Sequence, residues 1–327
     1  MLGFGVAWSA LALGQSGCAE ARTPGPWDDY RARFVAADGR VIDTTNGNVS
    51  HSEGQGYGLL MAEAAGDRAT FDRMLDWTLT HLRRTDSGLL TWRYDPSSAT
   101  PAADPNNATD GDILVAWALL RAHKRWPNGE YAHASETLRA AILREATIEY
   151  GGLKLLLPGR NGFVQSDHIV VNPAYYVWPA LDAFARHEPM WAAYIEDGLT
   201  LLDRAAFGPW RLPTDWVAIA ADGRASPAPD KPARFGFDAL RVPFYLAWSK
   251  RMGALETYRT YWKAVEGPTG WPAWIDVVTG ARAEYALSPG GAAIAGFILG
   301  RPQAAPSPAD ADYYSSSLAQ LVRIARS

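Results

Sequence analysis

From Trp27 onward, apolar positions recur at three- and four-residue intervals with few interruptions, the pattern of amphipathic helices. The spacing predicts helices over Trp27–Ala36, Glu53–Ala65, Ala69–Leu82, Asp110–Trp126, Tyr131–Glu149, Pro173–Arg186, Pro189–Ala206, Phe237–Lys250, Leu255–Glu266, Tyr285–Leu299 and Ala309–Ala325. Two kinds alternate. Segments starting near Glu53, Asp110, Pro173, Phe237 and Tyr285 are rich in Ala, Gly and bulky apolar residues, whereas those between them carry Arg, Glu and Asp on one face. A helix apolar all round is buried, and an amphipathic one turns one side to water. Strict alternation describes helical hairpins closing on themselves, so the expected fold is all-α, an (α/α)6 barrel in a single domain over residues 22–327. The pattern yields eleven helices, one short of six pairs. Strand signals are weak: Val41–Asp43 with Leu89–Tyr94, and Gly152–Leu157 with Ile169–Val171, are expected as short hairpin pieces, and Ala225–Pro232 as a proline-rich surface loop.

In such an arrangement the buried helices begin on one face, and polar residues at those starts can converge. They are Glu53 in His51-Ser52-Glu53-Gly54-Gln55-Gly56-Tyr57-Gly58, Asp110 and Asp112 in Ala108-Thr109-Asp110-Gly111-Asp112, Asn172 and Tyr175, Asp238 and Arg241, and Tyr285. Ser52 and Gln55 have capping-box spacing, with Tyr57 one helical turn beyond Glu53, and Thr109 with Asp112 reads as a second capping pair. The glycines around Glu53 let something approach the backbone closely. A first-turn acid can also serve only to complement the helix dipole.

Composition narrows the chemistry. Of 327 residues, 48% are hydrophobic and 20% charged, ordinary globular values. A net charge of -4 without Lys/Arg runs argues against nucleic acid as a partner. The 14 Trp and 14 Tyr exceed what a core requires, and many sit beside Gly, Pro or Asp, where flat rings serve as platforms for sugars. Trp77, Trp117, Trp178 and Trp248 fall at core spacing. Asp215-Trp216 and Trp271-Pro272-Ala273-Trp274 are loop aromatics able to extend a cleft. No metal-ligand spacing, nucleophile elbow, phosphate loop or dinucleotide fingerprint is present, so neither metal nor cofactor is expected. Residues 1–21 combine an apolar run too short to span a membrane with Ala19-Glu20-Ala21, an A-x-A cleavage pattern. An export signal, or a lipoprotein-like leader through Cys18, the only cysteine, implies a periplasmic or secreted protein.

Carboxylates in an aromatic-lined cleft, with no metal and no nucleophilic Ser or Cys, are what glycoside hydrolysis needs: one acid to protonate the leaving oxygen, one carboxylate to activate water. A tension accompanies this reading. A helix N-terminus lowers a carboxylate's pKa, while a general acid needs it raised.

The three segments Ser52–Gly58, Ala108–Asp112 and Phe235–Pro243, in this order and spacing, resemble glycoside hydrolase family 8 over essentially the whole chain past the leader. The resemblance implies an (α/α)6 barrel and an inverting endo-β-1,4-glucanase acting on cellulose-like chains, of the kind that includes enzymes associated with bacterial cellulose synthesis. It implies Glu53 as general acid, Asp238 as general base and Asp110 as the carboxylate binding the distorted sugar. Arg241 would orient Asp238, Trp92 would stack on sugar, and Tyr175 and Tyr285 would make further contacts. The family usually has Tyr immediately before the base, and Phe237 stands there instead. Chitosan, xylan or mixed-linkage glucan are alternative substrates. A weakly active glucan-binding component of a polymer-export assembly, with a cellulose synthase complex as partner, is the alternative from another class.

Overall fold

The computed structural model describes residues 24–302 and 311–327. The leader at 1–21, with Cys18, and the first two residues of the last expected helix lie outside the described residues. The helices are α1 (Pro26–Phe34), α2 (Ser52–Ala65), α3 (Arg68–His81), α4 (Thr109–Arg125), α5 (Gly129–Glu145), α6 (Trp178–Ala185), α7 (Trp191–Arg204), α8 (Arg241–Trp248), α9 (Glu256–Val265), α10 (Pro289–Ile298) and α11 (Tyr313–Arg326). Nine short strands occupy the connections: β1 (Ser50–His51), β2 (Arg93–Tyr94), β3 (Thr147–Tyr150), β4 (Leu153–Leu156), β5 (His168–Val171), β6 (Val217–Ala220), β7 (Ala225–Pro227), β8 (Arg234–Phe235) and β9 (Ile275–Asp276).

The buried and half-exposed helices separate as their composition requires. Almost every residue of α2 from Ser52 to Glu63 is buried, and so is α4 from Thr109 to Leu119. In α7 and α9 only a stripe is covered, including Trp191 and Leu201 in one and Tyr258, Tyr261 and Trp262 in the other. Packing contacts run in a circuit from α2 to α4, α6, α8, α10 and α11 and back to α2. Outside it, α3 packs on α2, α5 on α4, α7 on α6 and α9 on α10, while α1 from the start of the chain packs on α11 from its end. The pairing is therefore completed between the two ends of the chain, and α11 belongs to the buried set despite its serine-rich face: Ser315, Ser316 and Ser317 are all buried.

Several boundaries depart from the periodicity, each for a local reason. The segment predicted as Pro173–Arg186 breaks into a 3-10 turn, Pro173–Tyr175, and then α6, because Pro179 disfavours helical backbone at the residue before it except where a helix begins. α10 begins at Pro289 rather than Tyr285, since Ser288 caps it by accepting from Gly291 N at 3.2 Å and Pro occupies the first turn. α8 begins at Arg241, not Phe237. α5 ends at Glu145, and β-branched Thr147 and Ile148 start a hairpin closed by Gly151 and Gly152 at φ +58° and +73°. The expected strand partners were wrong throughout: β2 pairs with β1, β4 with β3, β5 with β6, and the proline-rich loop contributes β7 to β6. Hydrophobic alternation in two- to four-residue strands is too short to specify a partner.

Neither capping pair forms. The N-cap positions are His51 and Ala108, without side-chain caps. Gln55 instead receives Val41 N at 2.6 Å and donates to Thr78 Oγ1 at 2.8 Å, bonding the segment before α2 to α3. Asp112 accepts from Leu90 N and Asn107 Nδ2, both at 2.8 Å, and burial pushes its carboxyl up to about 7. Asp112→Ala strands both donors in the interior and is expected to cost about 1–3 kcal/mol in urea unfolding. The folded state holds the Asp112 proton more tightly than the unfolded chain. The group's stabilising contribution is therefore full below the ordinary aspartate range and declines as pH rises through about 7. The penalty of the substitution should shrink over the same window.

Candidate active site

The first turns of α2 and α4 meet because glycine lets them. A Cβ on Gly56 would lie 2.5 Å from the Leu114 side chain, and one on Gly111 would lie 2.7 Å from the Glu53 backbone nitrogen. The expected close approach at the glycines is thus made by neighbouring protein, with the Tyr313 hydroxyl filling the space over Gly54. This crossing sets Glu53 and Asp110 within hydrogen-bonding reach of each other.

Arg241 enters between them from the start of α8, 2% exposed. Its Nη1 donates to Glu53 Oε1, to Asp110 Oδ2 at 3.1 Å and to the Tyr57 hydroxyl at 2.8 Å. Its Nη2 donates to Asp238 Oδ1 at 2.7 Å, one helical turn back. The role expected for Arg241, orienting Asp238, is only part of what it does: one guanidinium holds all three carboxylates. The other Asp238 oxygen accepts from Asn172 Nδ2 at 3.1 Å, and Asn172 is itself fixed as the cap of the Pro173–Tyr175 turn. Tyr57, one helical turn beyond, donates to Glu53 Oε1 at 2.9 Å.

The protonation pattern follows from this wiring. Burial works to raise Glu53, but the Arg241 charge and the hydrogen bonds from Asp110 and Tyr57 outweigh it and hold that carboxyl below its usual range. Asp110 goes the other way. Burial and the adjacent Glu53 charge push it well above the aspartate range, so of the two carboxyls Asp110 keeps its proton to higher pH.

Around this centre, Trp92 O accepts from Ser52 N at 3.0 Å, and the Trp92 ring stacks on His51 with centroids 5.8 Å apart at 9°. Tyr175 lies against the carboxylates, whose charges together with burial raise its phenol. Tyr285 is not gathered in. It lies in the loop before α10 with 56% exposure and makes no hydrogen bond or ring contact with the carboxylates among the described residues. Phe237 is also half exposed, and its carbonyl accepts from the Tyr314 hydroxyl at 2.9 Å. Tyr314, in the first turn of α11, carried no sequence signal beyond its place in a predicted helix. Tyr245, whose hydroxyl is 3.5 Å from that of Tyr57, reads in sequence as core. Trp271 is core, and Trp274 stacks under Arg234 at 3.7 Å.

Three carboxylates gathered on one buried cation, with tryptophan and tyrosine beside them, are an arrangement suited to carboxylate-based hydrolysis, here on an all-α scaffold. Residues 5–327 match the family model described as glycosyl hydrolases family 8. The chain belongs to that family. It is 44% identical over 278 residues to an endoglucanase of Cellulomonas uda, covering 84% of this chain and 77% of the relative. Among solved structures, the family 8 endoglucanase Cel10 of Klebsiella pneumoniae superposes with a TM-score of 0.89 at 44% identity, covering 92% of this chain and 98% of that one. An endo-β-1,4-glucanase from an Achatina fulica gut metagenomic library gives 0.90 at 42% identity, covering 93% and 97%.

The cluster makes a prediction about stability. Arg241→Ala leaves three buried or half-buried carboxylates without their shared cation, which should cost about 3–5 kcal/mol at pH 8. The cost should be smaller at pH 5, where the carboxylates freed of that cation take up protons, and urea unfolding at the two pH values measures the difference.

Proposed function

We infer that the protein is an endo-β-1,4-glucanase that cleaves cellulose-like chains with inversion. The observation that carries the reading is Arg241 bound to Glu53, Asp110 and Asp238 together, three carboxylates from three separate family motifs in a family 8 chain. In this reading Glu53 donates a proton to the glycosidic oxygen as the bond to the anomeric carbon breaks. Asp238 accepts a proton from the water that attacks that carbon from the opposite face. Asp110 holds the sugar at the cleavage point. Its proton supplies the general acid: when a sugar hydroxyl takes over Asp110's contacts, the shared proton passes to Glu53, resolving the conflict between a helix N-terminus and an acid role. Trp92 and Tyr175 are assigned as sugar contacts, and Tyr285 as an outer one from its exposed loop.

The scaffold we assign is the (α/α)6 barrel in one catalytic domain over 22–327, supported by the closed circuit of buried helices and the pairing of α1 with α11. Export to the periplasm or medium and association with a cellulose synthase complex belong to the same reading, and β-1,4-glucan is the substrate. Among the described residues no helix is long and apolar enough to cross a membrane.

Glu53→Gln and Asp238→Asn should each lower kcat by about 10²–10⁴-fold while cello-oligosaccharide binding survives. Near-normal turnover of either variant in a reducing-sugar assay refutes its assigned role. Proton NMR of fresh products should show the α-anomer first; initial β-anomer would exclude inversion. Reducing-sugar release from carboxymethylcellulose, run beside chitosan and xylan, tests the substrate, and preference for either of the latter would displace β-1,4-glucan.

A further inference from the structure

Asp215, in the loop before β6, has no part in the site described above, yet it is wrapped by the segment that presents Asp238. Its Oδ1 accepts three backbone N–H groups: Gly236 at 3.2 Å, Asp238 at 3.1 Å and Ala239 at 2.7 Å. Its own N–H donates to Arg234 O at 2.8 Å. The wrapping is close enough that a Cβ on Gly236 would lie 2.7 Å from Asp215 Oδ2. Leu240 N still donates to Gly236 O at 3.1 Å, so the carboxylate caps the turn that leads into α8, taking up N–H groups that have no partner ahead of a helix. The next residue, Trp216, stacks on Phe163 at 5.9 Å and meets the Tyr175 ring edge-on at 6.3 Å. One dipeptide therefore braces both Asp238 and Tyr175.

We propose that Asp215 is a positioning residue for the hydrolytic base: it fixes the turn that aims Asp238, and its own negative charge bears on the proton transfer there. The inference rests on the assignment of Asp238 as base. Three N–H donors on one oxygen would ordinarily keep a carboxylate strongly ionised. Here burial, then the charge of Asp238, overcome them and push Asp215 up to about 7. Of the charged groups on the surrounding elements, Asp238 faces it from the gripped turn, and Arg241 lies beyond, bonded to Asp238. The Arg234 side chain is drawn onto Trp274 and Lys231 onto Trp216. Asp215 thus gains its charge as pH rises through neutrality, beside a group whose task is to accept a proton.

The test is kcat and KM on carboxymethylcellulose for wild type, Asp215→Asn and Asp215→Ala from pH 5 to 9. Circular dichroism and cello-oligosaccharide binding by tryptophan fluorescence serve as controls of folding. Asparagine keeps an oxygen for the three N–H groups. At pH 6, D215N should lose less than about threefold in kcat and D215A about a hundredfold, with KM little changed, because ångström-scale misplacement of a reacting group costs on that order. As pH rises through about 7 the ratio of wild-type to D215N kcat should climb severalfold, since only the wild type gains the charge. A flat ratio between pH 6 and 8, or D215A turnover within about threefold of wild type, overturns the proposal; if D215A fails to fold, the D215N ratio decides alone. Asp238→Asn in the same assay separates the two readings. Retained turnover there removes the base assignment, whereas an inactive D238N beside a flat D215N ratio removes only the role of Asp215.

Discussion

One buried guanidinium facing three carboxylates is the interaction on which the rest of this structure depends. Three acids converging in a partly buried space repel one another, and a single cation with five donors in a rigid fork offsets that repulsion. Arg241 divides its donors, with Nη1 on Glu53, Asp110 and Tyr57 and Nη2 on Asp238. The proposed acid and base are thus bound by different nitrogens of one guanidinium. Formal charge is still unbalanced, and the opposite shifts of the two carboxyls ease it: Asp110 keeps its proton to higher pH than Glu53.

That balance constrains the scaffold. Two helices must cross closely enough for Glu53 and Asp110 to share a hydrogen bond, which requires Gly56 and Gly111 at the contact. The third carboxylate stands on the turn just ahead of α8, where Asp238 faces Arg241 three residues on and also reaches Asn172. Asp215 supplies acceptors for the N–H groups that this turn leaves free. The helix N-termini add a favourable potential for the anions that remain, so the dipole that opposes an acid role for Glu53 also helps to keep the cluster folded.

The circuit of buried helices closes where α11 packs on α2, and α1 backs α11 from outside. This has a functional side. α11 delivers Tyr313 over Gly54 and Tyr314 to the carbonyl of Phe237, so the last helix braces both the first motif and the third. Phe237 lacks a hydroxyl beside the proposed base, and Tyr314 brings a phenol to the backbone of that same residue from another element.

What the sequence by itself determined was local. Eleven helices, the split between buried and half-exposed ones, and the residues of the three motifs were legible because they depend on period, composition and spacing within one or two turns. The pairs Glu53–Tyr57 and Asp238–Arg241 were readable for the same reason. What depended on contacts between distant segments was not. Gln55 looks like a capping residue until Val41 and Thr78 arrive from elsewhere, Tyr285 looks like a helix start until Ser288 and Pro289 move that start past it, and the serines of α11 do not announce a buried helix. Arg241 looked like the partner of one aspartate, and Asp215 like a loop acid beside a tryptophan. Only the tertiary structure decided that the first joins three motifs and the second grips one of them, because electrostatic and hydrogen-bond partners are chosen by proximity in space, which periodicity along the chain does not encode.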